Sequence, residues 1–95
     1  MDIQKSDLVM SLNGRDAGKI MIVLGIFDDY VLLADGKGRR TESPKRKKKK
    51  HLKFVSKNDG CVAAKIRNNE KVSNSEIRRV LAEFSVGVPE GEGGM

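Results

Sequence analysis

The segment Ile20-Met21-Ile22-Val23-Leu24-Gly25-Ile26-Phe27 is apolar at both odd and even positions. It is too short and too rich in β-branched residues for a helix, so it reads as a strand. A strand with two apolar faces must be covered on both of them. Whatever this chain folds into therefore needs a layer on each side of that strand. With 95 residues, 38% of them hydrophobic, one domain with a modest core is available to supply those layers. The same segment is far too short to cross a bilayer.

Other strands follow from the alternation around it. Leu8, Met10 and Leu12 share one face of a first strand, which Asn13-Gly14 breaks, and Arg15-Asp16-Ala17-Gly18-Lys19 continues as a turn or loop. Asp28-Asp29 makes a tight turn into Tyr30-Val31-Leu32-Leu33-Ala34, which stops at the turn signal Asp35-Gly36. Residues 37–42 are read as a short fourth strand before Ser43-Pro44. A fifth follows the lysine run at His51-Leu52-Lys53-Phe54-Val55, with Leu52 and Phe54 on one face. Five short strands joined by tight turns predict a small SH3-like five-stranded barrel.

After Ser56 the apolar period lengthens from two to 3.6. Asp59 is placed to cap a short helix carrying Val62, Ala63 and Ile66. A longer helix begins at Ser73-Asn74-Ser75-Glu76, a capping box, with Val72 and Ile77 placed as its hydrophobic staple. Ile77, Val80, Leu81 and Phe84 form one apolar stripe, expected to cover the outer face of the Ile20–Phe27 strand. The predicted class is mainly β with C-terminal α: a barrel over residues 1–56 that includes a basic loop at 37–53, and a helical segment at 57–86. A glycine- and glutamate-rich tail at 87–95 is expected to be disordered.

Charge is distributed unevenly along this plan. Up to Gly36, three basic residues stand against six acids, giving −3; from Lys37 to Lys53, ten basic residues stand against Glu42 alone, giving +9; the remainder cancels. The whole excess behind the net charge of +6 sits in one stretch. Such a field attracts polyanions, above all nucleic acid. Six consecutive basic residues, Lys45, Arg46, Lys47, Lys48, Lys49 and Lys50, repel one another too strongly for an indifferent surface. With Lys37, Arg39, Arg40 and Lys53 they make the candidate polyanion site.

Gly14-Arg15-Asp16-Ala17-Gly18-Lys19 invites comparison with a phosphate-binding P-loop and fails it. Only three residues separate the glycines, Ile20 stands where Ser or Thr is required, and a strand follows rather than a helix. Asp7-Leu8-Val9-Met10-Ser11-Leu12-Asn13-Gly14-Arg15-Asp16-Ala17-Gly18-Lys19-Ile20-Met21-Ile22-Val23 instead resembles the KOW motif of ribosomal and transcription-elongation proteins. The order of a KOW barrel, a lysine-rich segment and a helix opening at Val72-Ser73-Asn74-Ser75-Glu76-Ile77-Arg78 is similar to that of small bacterial relatives of an archaeal and eukaryotic large-subunit ribosomal KOW protein. That resemblance covers residues 6–84. It implies RNA binding, most often to ribosomal RNA, without catalysis. The family's contact loop maps onto Asn13, Gly14, Arg15, Asp16, Gly18 and Lys19, of which Asp16 departs in charge from a purely basic tip. Physically, the glycines either let the loop backbone approach a sugar-phosphate surface or merely shape a turn. Arg15 and Lys19 can donate to phosphate oxygens.

The remaining residues point away from chemistry. His51 has no plausible partner for catalysis or metal ligation and reads as one more polar group in a basic strand. Cys61, the sole cysteine, reads as a small packing residue in a reducing, cytoplasmic compartment. Phe27, Phe54 and Phe84 are assigned to the core; Tyr30, opening a strand beside a turn, is a candidate for stacking on a base. No secretory leader, catalytic set, metal site, cofactor or membrane anchor is expected. The reading is a monomeric, ribosome-associated RNA-binding protein that senses RNA shape and backbone more than base identity. The alternative is a protein-interaction module of the translation or transcription machinery built on the KOW barrel.

Overall fold

The computed structural model describes residues 3–87. Five antiparallel strands, β1 (Leu8–Ser11), β2 (Ile20–Phe27), β3 (Tyr30–Ala34), β4 (Lys45–Lys48) and β5 (Leu52–Ser56), are followed by α1 (Cys61–Arg67) and α2 (Asn74–Gly87). The sheet order is β4-β3-β2-β1-β5, which puts β2 at the centre and β4 and β5 at the two edges.

The central strand is covered on both faces, as its composition demands. Met21 and Val23 join Ile3, Val9, Val31, Leu33 and Leu52 in an inner core. Ile22, with Ile20 and Leu24, joins Leu8, Ile66, Val72 and Ile77 in an outer core beneath the helices, where Val80, Leu81 and Phe84 also pack. Leu8 and Val9, adjacent in β1, serve opposite cores across a register shift between them. Leu12, expected on the buried face of β1, lies beyond the strand and is 52% exposed.

A link of only three residues, a 3-10 turn at Lys49–His51, joins the edge strands. Across a flat five-stranded sheet the edges would lie about 19 Å apart. The four chain steps from Lys48 to Leu52 reach at most about 14 Å. The sheet must therefore curl, and its concave side holds the inner core. It curls without closing: β4 and β5 stay unpaired with each other, so the predicted closed barrel is instead an open, coiled sheet. The edge that would seal it carries lysines, which do not bury readily.

The fourth strand also lies elsewhere than expected. Asp35 Oδ1 accepts from the backbone N–H groups of Lys37 at 2.8 Å and Arg39 at 2.9 Å, and both Asp35 and Gly36 N–H bond back to the Arg39 carbonyl. These bonds fold the chain on itself and leave no extended stretch at 37–42. The lysine run supplies the strand instead, setting Lys47 opposite Val31 and Lys45 opposite Leu33. The predicted basic loop at 37–53 is thus a turn segment, an edge strand, a 3-10 turn and the start of β5.

At the helices, Ser73 and Glu76 form the capping box: the Ser73 N–H donates to Glu76 Oε1 at 2.9 Å, and the Glu76 N–H donates to Ser73 Oγ at 3.1 Å. Lys65 Nζ donates to Glu76 Oε2 at 2.7 Å, and with the Ser73 N–H this holds the Glu76 carboxyl down at about 2. Asp59 does not cap α1. The helix starts at Cys61 with Gly60 in the cap position, and Asp59 Oδ1 accepts from Arg67 instead. Cys61 is exposed rather than packed. Gly36 has φ +78° and lies so close to α2 that a Cβ would meet the Asn74 carbonyl at 2.5 Å, so this turn both needs glycine and seats the helix. The expected tail begins at Gly87, the last residue of α2; residues 88–95 lie outside the described residues.

Candidate nucleic-acid interface

The loop between β1 and β2 is built by its own backbone. The Gly18 N–H donates to the Ser11 carbonyl at 2.8 Å, the Ser11 N–H to the Lys19 carbonyl at 3.1 Å, and the Lys19 N–H to the Asp16 carbonyl at 2.9 Å. Gly14 and Gly18 both take positive φ, +78° and +87°. A Cβ on Gly18 would meet nothing within 4 Å among the described residues, so that position needs glycine for its backbone angle and not for want of space.

Asp16, which looked out of place at a basic tip, points inward and is 3% exposed. Its Oδ2 accepts from Arg39 Nε at 3.2 Å and Nη2 at 2.9 Å, and Lys19 Nζ lies 3.7 Å from Oδ1. The Arg39 hydrogen bonds, helped by the fields of Arg39, Lys19 and Lys45, hold the Asp16 carboxyl below the usual aspartate range despite burial. Asp16 thus acts as an internal tie between the glycine loop and the turn after β3.

A second tie comes from the lysine strand. Lys47 Nζ donates to the Asn13 carbonyl at 2.7 Å, which also accepts from Ser11 Oγ at 3.0 Å. Asn13 Nδ2 and His51 Nδ1 are 2.9 Å apart, and the Leu12 N–H donates to the His51 carbonyl at 2.9 Å. His51 therefore anchors the 3-10 turn to the glycine loop, a role its sequence position did not reveal. The two basic features that the sequence kept separate, the loop and the lysine run, meet on one surface.

The candidate residues divide on this surface. Arg39 is engaged with Asp16, Lys19 lies near it, and Arg40 Nη1 lies 3.9 Å from Glu42 Oε2 beside the start of α2. Arg15, Lys37, Lys45, Arg46, Lys47, Lys48, Lys49, Lys50 and Lys53 have no carboxylate within 4.0 Å among the described residues. Lys19 and Lys37 line one shallow cleft with Arg78. Arg46 lies over the Tyr30 ring, 4.7 Å from its centroid. Phe27, expected in the core, is 47% exposed.

Among the described residues, no three His, Cys, Asp or Glu side chains gather to hold a metal ion, and no helix is long and apolar enough to cross a membrane. No protein-family model matches the chain, and no curated protein matches it at a significant level.

Proposed function

We propose that this chain is a non-catalytic RNA-binding protein of KOW type, associated with the ribosome and docking on the backbone of structured RNA. One observation carries the reading: the Lys47–Asn13 bond joins the glycine loop to a strand and turn whose cations have no carboxylate within 4.0 Å among the described residues. In the interior of one protein such a set would only repel itself. Against a phosphate array it is complementary, and each phosphate it neutralises releases counterions. An SH3-like descent of the fold is consistent with the short 3-10 link between the edge strands and with the curl it forces. Membership of the KOW family rests on the residues that carry the resemblance.

Sedimentation of cell lysate through a sucrose gradient tests this, with the tagged protein followed at low and high salt. The expected outcome is co-migration with the large ribosomal subunit at low salt and release at high salt. With about six phosphates engaged, log K for purified ribosomal RNA should fall by roughly 4 to 5 per decade of salt. A protein that stays at the top of the gradient at every salt concentration sinks stable ribosome association and moves the protein-interaction reading to the front.

A further inference from the structure

The outer face of the sheet has two ends. At one, Ile20, Ile22 and Leu24 lie under the helices. At the other, Phe27 and Tyr30 face each other across the β2–β3 turn, their rings stacked with centroids 5.5 Å apart and planes inclined by 21°. The register puts Leu32 opposite Arg46 and Tyr30 opposite Lys48, so both cations stand on the same face as the rings. We propose that Phe27, Tyr30 and Arg46 form a stacking site for an unpaired nucleobase of RNA, deepening the RNA-binding reading on which it rests.

Three features distinguish this pair from an ordinary cross-strand contact at a hairpin end. Phe27 keeps 47% of its surface in solvent, so a large aromatic area is left open beside Tyr30. Gly25 shapes the platform: β2 shifts register between Val23 and Gly25, and a Cβ on Gly25 would sit 3.1 Å from the Phe27 ring. The ring lies down along the strand because the position beneath it is bare. Finally, β4 gives the site one basic flank, while the exposed Asp28 and Asp29 of the connecting turn lie at its hairpin end. Arg46 covers Tyr30, where a guanidinium can also stack on a base, and Lys48 stands next to it with no carboxylate within 4.0 Å among the described residues. That basic flank continues into the lysine run and matches a nucleotide, with a π-face for the ring and a phosphate for the lysine. Since every base has a π-face, the site selects unpaired over paired nucleotides rather than one base over another.

The sequence holds one tyrosine and no tryptophan, so intrinsic fluorescence reports on Tyr30 alone. The full chain is titrated with a single-stranded uridine 12-mer and with a fully paired RNA duplex, with absorbance-corrected emission. Expected is strong tyrosine quenching by the single strand and little by the duplex. Phe27→Leu should bind the single strand roughly ten-fold more weakly and leave duplex affinity unchanged, while Phe27→Trp should retain the wild-type affinity for both. Circular dichroism checks that each variant is folded. Unchanged single-strand affinity in Phe27→Leu, with both RNAs still bound in a salt-dependent way, overturns the stacking site and leaves RNA binding standing. Absence of binding to either RNA overturns both. A tyrosine signal that follows protein concentration and ignores RNA makes the patch a contact between copies of the chain and also overturns the stacking site.

Discussion

Two groups of cations meet at the glycine loop, and they are held in opposite ways. On one side, Arg39 reaches 2.9 Å from a buried carboxylate, with Lys19 flanking it. On the other, Lys48, Lys49, Lys50 and Lys53 have no carboxylate within 4.0 Å among the described residues. The first group is consumed in fixing the shape of the loop; the second is presented outward. The difference teaches that positive charge in a sequence is not one quantity. Neutralised cations build the surface, and it is the unmatched ones that give it a field.

Removing Arg39 should break this comparison most severely. Arg39→Ala leaves the nearly buried Asp16 carboxylate with Lys19 at 3.7 Å and the field of Lys45 but no hydrogen-bonding guanidinium, and the destabilisation expected is about 2 kcal/mol. The 32% exposure of the Arg39 side chain keeps it below the loss for a fully buried pair. In a thermal melt this lowers Tm by about 10 °C for a domain of this size; a melt unchanged within 2 °C contradicts the tie.

Acid acts on the same side. Both Asp16 and Glu76 titrate lower when folded, so each contributes stability that is complete above its unfolded value and fades as pH falls through the folded one. For Glu76 the window runs from 4.5 down to about 2, and for Asp16 it opens below 3.8. Urea midpoints measured from pH 5 to pH 2 should fall across this range, and Glu76→Gln should flatten part of the fall. A Glu76→Gln profile that overlays the wild type would remove the Lys65–Glu76 pair from the account.

The smallest effect on stability belongs to the unmatched group. Changing Lys48, Lys50 and Lys53 together to Gln should shift stability by no more than about 0.5 kcal/mol. The same change should make the slope of log K for RNA against log salt shallower by roughly 2 to 3. Loss of stability with an unaltered slope reverses the assignment of the two groups.

Much of the frame was legible in the sequence because it depends on local pattern. The doubly apolar Ile20–Phe27 strand, the Asp28-Asp29 and Asp35-Gly36 turns, and the capping box at Ser73 and Glu76 all stand where their residues put them. The lysine strand was not legible: a run of like charge reads as loop, yet an edge strand needs only one partner and leaves its other side to water. Tertiary pairing hid the rest. The Asp16–Arg39 tie joins residues far apart in the chain, so neither neighbourhood announces it. Phe27 looked like core because its strand is apolar throughout, but the helices cover only one end of that strand's outer face.

The short 3-10 link also governs how the molecule comes together in time. The last pairing, β5 on β1, sets Leu8 against Ser56 and Ser11 against Leu52, so nearly the whole sheet must be threaded before its edge is complete. Contacts so distant in sequence require a long loop to close before they form, which slows folding in general. That step also swings six consecutive basic residues over to the glycine loop, against their mutual repulsion. Ions at about 0.1 M shorten the reach of that repulsion to about 10 Å. Added salt is therefore expected to ease that approach even as it loosens the proposed grip on RNA, two opposite responses from the same lysines.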